Sequence, residues 1–146
     1  MNRVIYNYAI SMLGLPYIWG GDDSIEGFDC SGLVIELLKA DGLLPNSFDT
    51  TSQGLYDKYI TSTKHFRKVH KLEKLTPEFG RLCFYGKSPT NITHVAMCLD
   101  NELVIEAGGG GSSIKTKEDA VKRNAFVRVR PYDYRRDLID ILIPFP

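Results

Sequence analysis

The sequence carries no surplus of charge: 18 Lys and Arg are offset by 18 Asp and Glu in 146 residues. That balance leaves no basic field for nucleic acid and no acidic field for cations. Long apolar runs are also missing, since a membrane-spanning helix needs about 20 consecutive apolar residues and the longest stretches here are a few residues long. No membrane span is therefore expected. An export signal needs an unbroken apolar run of about 7 to 15 residues, and Asn7 and Ser11 interrupt the opening segment. The expectation is a chain made in the cytoplasm without an export signal of its own. Cysteine is scarce and odd in number, at positions 30, 83 and 98, which excludes a complete disulfide framework and leaves at least one free thiol. The Gly108 to Gly111 run lacks the Lys-Ser/Thr of a phosphate loop, which excludes that kind of nucleotide site. A flexible cleft rim is expected there instead.

The length suits a single domain, residues 1–146, because one core ordinarily serves roughly 100 to 200 residues. Asn2 is placed to cap a first helix whose apolar residues Val4, Ile5, Tyr8, Ala9 and Met12 recur at helical spacing, with Gly14 and Pro16 as its stop. An extended segment, Tyr17 to Gly21, leads into a turn. A second helix begins near Cys30, where Leu33, Val34, Leu37 and Leu38 form one stripe and Gly42 can end it. A third, shorter helix follows Thr50 or Thr51, with Leu55, Tyr56, Tyr59 and Ile60 inward. The Lys/Arg-rich stretch Lys64 to Lys74, with His65 and His70, reads as a solvated loop face.

Beyond it the periodicity changes from helical to alternating. Arg81 to Tyr85, Thr93 to Leu99, Leu103 to Ala107 and Ala125 to Arg130 are the expected strands. Helices first and strands after them, with short links, predict an α+β domain in which N-terminal helices pack on an antiparallel β-sheet.

Three residues stand out chemically. Cys30 sits between a glycine turn and the first turn of a helix, where unpaired amides and the helix dipole favour a thiolate, the attacking form of cysteine. The same amides can receive an oxyanion. His94 begins one strand of an expected hairpin and Glu106 ends the other. A three-residue loop from Leu99 to Asn101 would pair Cys98 with Glu102 and, counting outward, His94 with Glu106. Opposed side chains lie about 4.5 to 5.5 Å apart at Cβ, within reach of an imidazole–carboxylate bond. Cys30, His94 and Glu106 then make a nucleophile, a base and its orienter, the papain arrangement. Taken alone, Cys83 and Cys98 read as small buried hydrophobes. A zinc site from Cys30, His94 and Cys98 lacks the close Cys-x-x-Cys pairing that usually marks one, and no metal or organic cofactor is expected.

The ordered set Pro16-Tyr17-Ile18-Trp19-Gly20-Gly21, Phe28-Asp29-Cys30-Ser31-Gly32-Leu33-Val34, Gly80 to Tyr85 and His94-Val95 resembles the NlpC/p60 superfamily of cell-wall peptidases, over roughly residues 3–110. The resemblance implies a papain-like fold with the cysteine on a helix and the histidine on a sheet. It implies hydrolysis of the bond between γ-D-glutamate and a diamino acid in peptidoglycan stem peptides. By position, Cys30 matches the nucleophile, His94 the base and Glu106 the third polar residue. Tyr17, Asp29 and Ser31 match the residues that hold the stem's N-terminal end. Histidine is the commoner third residue, and Arg81 stands where an aspartate usually begins the strand.

The expected activity is thus a cysteine endopeptidase working through a thioester on peptidoglycan stem peptides at the cell wall. Among free-standing members the chain is similar to phage and prophage enzymes, which makes phage tail or lysis machinery an expected partner and route of delivery. Two other readings are carried forward. One is a cysteine amidase or acyltransferase on another amide or lipid; the other is a non-catalytic wall-binding or structural module.

Overall fold

The computed structural model of the protein describes residues 1–145. Helix α1 (Arg3–Ser11) opens as expected, with the Asn2 side chain accepting from the amides of Val4 and Ile5. That satisfies two of the donors a helix start leaves unpaired. Ile5 and Ala9 face inward, and Gly14 turns the chain at φ +86°. The segment after it is tied on both sides. Tyr17 N–H donates to Ala125 O at 2.9 Å and Ile18 N–H to Phe28 O at 3.0 Å. A minimal hairpin of β1 (Asp22–Asp23) and β2 (Gly27–Phe28) then delivers the chain to α2 (Cys30–Ala40).

Helix α2 is the central buried helix. Leu33, Val34, Leu37 and Leu38 are fully enclosed, and the helix packs across the middle of the sheet. Its first turn lies against the Tyr17 to Gly21 segment so closely that a Cβ at Gly32 would stand 2.0 Å from Gly21 O. Glycine at 32 therefore sets how near the cysteine-bearing turn comes to its neighbouring loop.

Helix α3 (Ser52–Val69) starts at the expected Thr51 cap but runs to 18 residues, so it is long, not short. The first half of the basic stretch, including His65, is its last turns and not a loop. Lys and Arg are good helix formers, and Arg67 and Lys68 complement the negative end of the helix. His65 and His70 are both exposed.

The sheet is antiparallel with order β6-β5-β4-β3-β7, formed by β3 (Leu82–Ser88), β4 (Asn91–Cys98), β5 (Leu103–Gly108), β6 (Phe126–Pro131) and β7 (Leu138–Leu142). The four expected strands are all present within a residue or three of their expected ends. Strand β7 and the short helix α4 (Lys117–Arg123) are additional. Helix α4 is held by a capping box between Thr116 and Asp119, and β7 extends the sheet beyond β3. One side of the sheet, through Val95, Met97 and Ile105, joins the core beneath α2 and α3. Ala96, Cys98 and Val104, out of phase with them, join a second cluster with Cys83 and Tyr85. The architecture is the expected α+β, helices on an antiparallel sheet.

The hairpin register differs from the expected one by two residues. Cys98 pairs with Val104 and Met97 with Ile105, because the Asp100 carboxylate accepts from the amides of Glu102 and Leu103 at 2.8 and 2.7 Å and the turn closes one residue later, with Leu99 N–H donating to Leu103 O at 2.8 Å. A slip of two preserves the face of every side chain. Carried outward, this register sets Glu106 opposite Ala96, diagonal to His94 and on the same side.

Adding one methyl group at the α2 contact should be costly. Gly32→Ala is expected to destabilise the protein by about 1–3 kcal/mol through overpacking against the Gly21 carbonyl, read as a lower urea midpoint at unchanged slope. An unchanged midpoint would show that the loop yields freely.

Candidate active site

Cys30 is the first residue of α2, and Asp29 is its cap. The Asp29 carboxylate accepts from Gly32 N–H at 2.7 Å and, through its other oxygen, from Gly20 N–H at 3.1 Å. Ser31 Oγ lies 3.3 Å from it. Asp29 therefore fastens the Gly20 turn to the helix start, a structural duty that the resemblance did not include. Burial raises its carboxyl above the ordinary range, while the hydrogen bonds from Gly32, Gly20 and Ser31 pull the other way.

A cleft of about 400 Å³ opens over this turn, lined by Cys30, Tyr17, Trp19, Asp29, Ser31 and Thr93 among others. Cys30 is partly exposed to it. Tyr17 is buried, and burial, with Cys30 and Asp29 beside it, pushes its hydroxyl well up. All three residues assigned to the substrate by resemblance thus border the cleft that Cys30 lines. Trp19, half exposed at the same cleft, belongs with them by position.

His94 is buried on β4, beside Tyr85 on β3. Its Nε2 lies 3.2 Å from Glu106 Oε1, and the Cys30 thiol is near enough to act on the ring's titration. With Nε2 turned to the carboxylate, Nδ1 is left for sulfur. Burial works to lower the imidazole's pKa, but the bonds and charges of Cys30 and Glu106 outweigh it and raise it to about 9. Sequence reasoning brought these three residues together by the wrong pairing and the right face.

Glu106 has no exposed surface, and a carboxylate in that position needs partners. Besides His94 it accepts from Arg128 Nε at 3.2 Å and from Tyr134 Oη at 2.6 and 2.9 Å. Burial by itself would raise its pKa, yet these donors hold it down at about 2. Arg128 and Tyr134 were not anticipated. Arg128 was legible in principle, since it alternates with Val127 and Val129 on a strand and stands directly opposite Glu106. Tyr134, in the β6–β7 connection, carries no sequence signal.

The glycine run makes close approaches: a Cβ at Gly108 would meet Glu106 Oε2 at 1.9 Å, and one at Gly110 would meet the Tyr17 ring at 2.1 Å. These glycines leave room for the carboxylate network and for Tyr17. Among the described residues no cluster of His, Cys, Asp and Glu is arranged to hold a metal. Cys98 lies 3.4 Å from Cys83, both buried, sulfur to sulfur. Arg81, the other departure from the family pattern, makes its own turn contact by donating to Thr76 O at 2.9 Å.

The NlpC/P60 family profile matches residues 14–131. The chain belongs to the NlpC/P60 family. It is 30% identical over 119 residues to the peptidoglycan endopeptidase RipA of Mycolicibacterium smegmatis, covering 73% of this chain and 21% of RipA. It is 28% identical over 116 residues to the murein DD-endopeptidase MepH of Escherichia coli, covering 77% of this chain and 38% of MepH. The chain thus spans well under half the length of these relatives. Among solved structures, RipD of Mycobacterium tuberculosis, described as a non-catalytic NlpC/p60 domain protein adapted to peptidoglycan binding, superposes with a TM-score of 0.62 at 23% identity, covering 96% of this chain and 93% of that one.

The His94–Glu106 pair should write itself into the pH dependence of stability. The lowered carboxyl stabilises the fold above its ordinary 4.5, a contribution lost as pH falls towards about 2. The raised imidazole stabilises it below its ordinary 6.5, a contribution lost as pH rises through about 9. The parent's advantage over Glu106→Gln should then be widest between those ordinary values, worth about 2 kcal/mol or 4–8 °C in Tm, and should narrow on both sides. Calorimetric melts across the pH range test this, and a gap that does not vary with pH would refute it.

Proposed function

We propose that the protein is a cysteine endopeptidase that hydrolyses peptidoglycan stem peptides, at the bond between γ-D-glutamate and the diamino acid. The observation that carries the reading is the constellation of Cys30, His94 and Glu106: a buried imidazole 3.2 Å from a buried carboxylate, with the thiol that acts on that imidazole lining an open cleft. The endopeptidase names of RipA and MepH support the substrate class. The bond itself rests on the resemblance.

In this reading His94 takes the Cys30 proton and sulfur attacks the γ-carbonyl carbon. The oxyanion is met by the Cys30 amide, which at a helix start has no intrahelical acceptor. Collapse breaks the C–N bond, His94 returns its proton to the departing amine, and a thioester remains. Water then attacks the thioester, its proton passing to His94, and the released thiolate takes the proton back. Glu106 keeps Nε2 protonated and the ring aligned throughout. Tyr17, Asp29 and Ser31 hold the stem's N-terminal end at the cleft.

RipD shows that a family member can be non-catalytic in name. The intact Cys30, His94 and Glu106 set favours the hydrolase here. An amidase or acyltransferase would use the same three groups on a different acyl donor, so the products decide. Digestion of purified peptidoglycan followed by mass spectrometry should show new termini at the γ-glutamyl bond. Cys30→Ala should fold normally and lose at least about a thousandfold in kcat. Binding to peptidoglycan with no product released would establish the wall-binding module instead.

Glu106 separates orientation from charge. Glu106→Gln keeps an acceptor without the charge and should cost about 10- to 100-fold in kcat, roughly 1.4–2.7 kcal/mol; Glu106→Ala should cost more. Glu106→His, the commoner family residue, should recover less here than the resemblance implies, because Arg128 stands opposite and a guanidinium disfavours an imidazolium. Full activity in Glu106→Ala would remove Glu106 from the proposed mechanism.

A further inference from the structure

An orienting carboxylate needs one bond to its histidine, and Glu106 makes three more. Tyr134 Oη donates to both carboxylate oxygens, at 2.6 and 2.9 Å, and Arg128 Nε donates to Oε2 at 3.2 Å. We propose that Arg128 and Tyr134 are positioning residues that set how tightly Glu106 holds the proton on His94, by drawing part of the carboxylate's charge away from the imidazole. The inference rests on the reading of Cys30 as nucleophile and His94 as base.

Independent features of the fold support this arrangement. Arg128 is the direct cross-strand partner of Glu106. Gly108 leaves the pair its space, since a Cβ there would meet Glu106 Oε2 at 1.9 Å and Arg128 Nη2 at 3.1 Å. The loop carrying Tyr134 is pinned on either side of it. Tyr85 Oη donates to Tyr132 O at 2.6 Å, Arg135 pairs with Asp137 through bonds of 2.9 and 2.8 Å, and Arg135 also lies 5.2 Å above the Tyr85 ring.

The chemistry explains why such tuning matters. His94 must first accept a proton from sulfur and then release it to an amine. A carboxylate shielded from water and paired with imidazole alone would favour the imidazolium so strongly that the second step slows. Donors on the far side of the carboxylate weaken its hold while keeping it ionised. The charged and titratable groups facing this centre are Cys30 from α2, Tyr85 from β3, Arg128 from β6, and Tyr134 and Asp137 from the β6–β7 connection. Asp137 is already paired with Arg135.

The test follows the His94 ring by NMR titration in the full chain, alongside kcat and KM against pH on a stem tetrapeptide. Tyr134→Phe and Arg128→Gln should each raise the His94 titration and the alkaline limb of kcat by about half to one pH unit, with kcat about 3- to 10-fold lower and KM unchanged. Arg128→Lys should restore part of the shift, and Glu106→Gln should move the titration in the opposite direction. Tyr134 is partly exposed on a loop, so Tyr134→Phe carries the test even where Arg128→Gln fails to fold. A folded Tyr134→Phe whose His94 titrates as in the parent overturns the inference. Retained cleavage by Cys30→Ala would overturn the reading beneath it, and the NMR titration distinguishes the two failures because it needs no turnover.

Discussion

A carboxylate sealed from water is the constraint around which this site is built. Leaving Glu106 buried and unpaired would be prohibitive, so the surroundings supply an imidazole, a guanidinium and a phenol from three different parts of the chain. Each of those partners demands its own accommodation. His94 has to stand diagonally across the hairpin, Arg128 has to sit in register on the next strand, and residue 108 cannot carry a side chain. The order β6-β5-β4 at one side of the sheet is therefore the scaffold of a charge network as much as a hydrophobic layer.

The helix side is organised by a second carboxylate. Asp29 caps α2 and, through its other oxygen, holds the Gly20 turn against it. Gly32 lets that turn approach to contact distance. The cysteine is thus delivered by local capping chemistry and the histidine by sheet pairing. The cleft lies where the two meet, with Thr93 of β4 lining it beside Cys30. One consequence is that Asp29 serves as both cap and cleft wall. Removing such a cap typically costs about 1 kcal/mol.

Departures from the family pattern are intelligible in these terms. Glutamate in the third position goes with an arginine directly opposite and a tyrosine that reaches back from a loop, a set that suits an anion and opposes a protonated ring. Arg81, where an aspartate is usual, finds the Thr76 carbonyl and Glu78 instead.

The sequence by itself determined what depends on short-range physics. The caps at Asn2 and Thr51, the apolar stripe behind Cys30 and the alternation of the strands from residue 81 onward follow from spacing and side-chain chemistry within a few positions. The common face of His94 and Glu106 survived an error of two in the hairpin register, since strand side chains repeat every two residues. Helix α3 runs on through Lys64, Arg67 and Lys68, and α4 is charged at every position but Ala120 and Val121, so the apolar period fades in both, while β7 has apolar pairs on either side of Asp140 and shows no alternation. Tertiary structure alone decided the rest. It joined Tyr134, 28 positions away, to Glu106, made Gly108 and Gly110 the room for a carboxylate and a tyrosine, and gave Asp29 its second tie at Gly20. Those contacts join residues distant in the chain, and no local pattern encodes them.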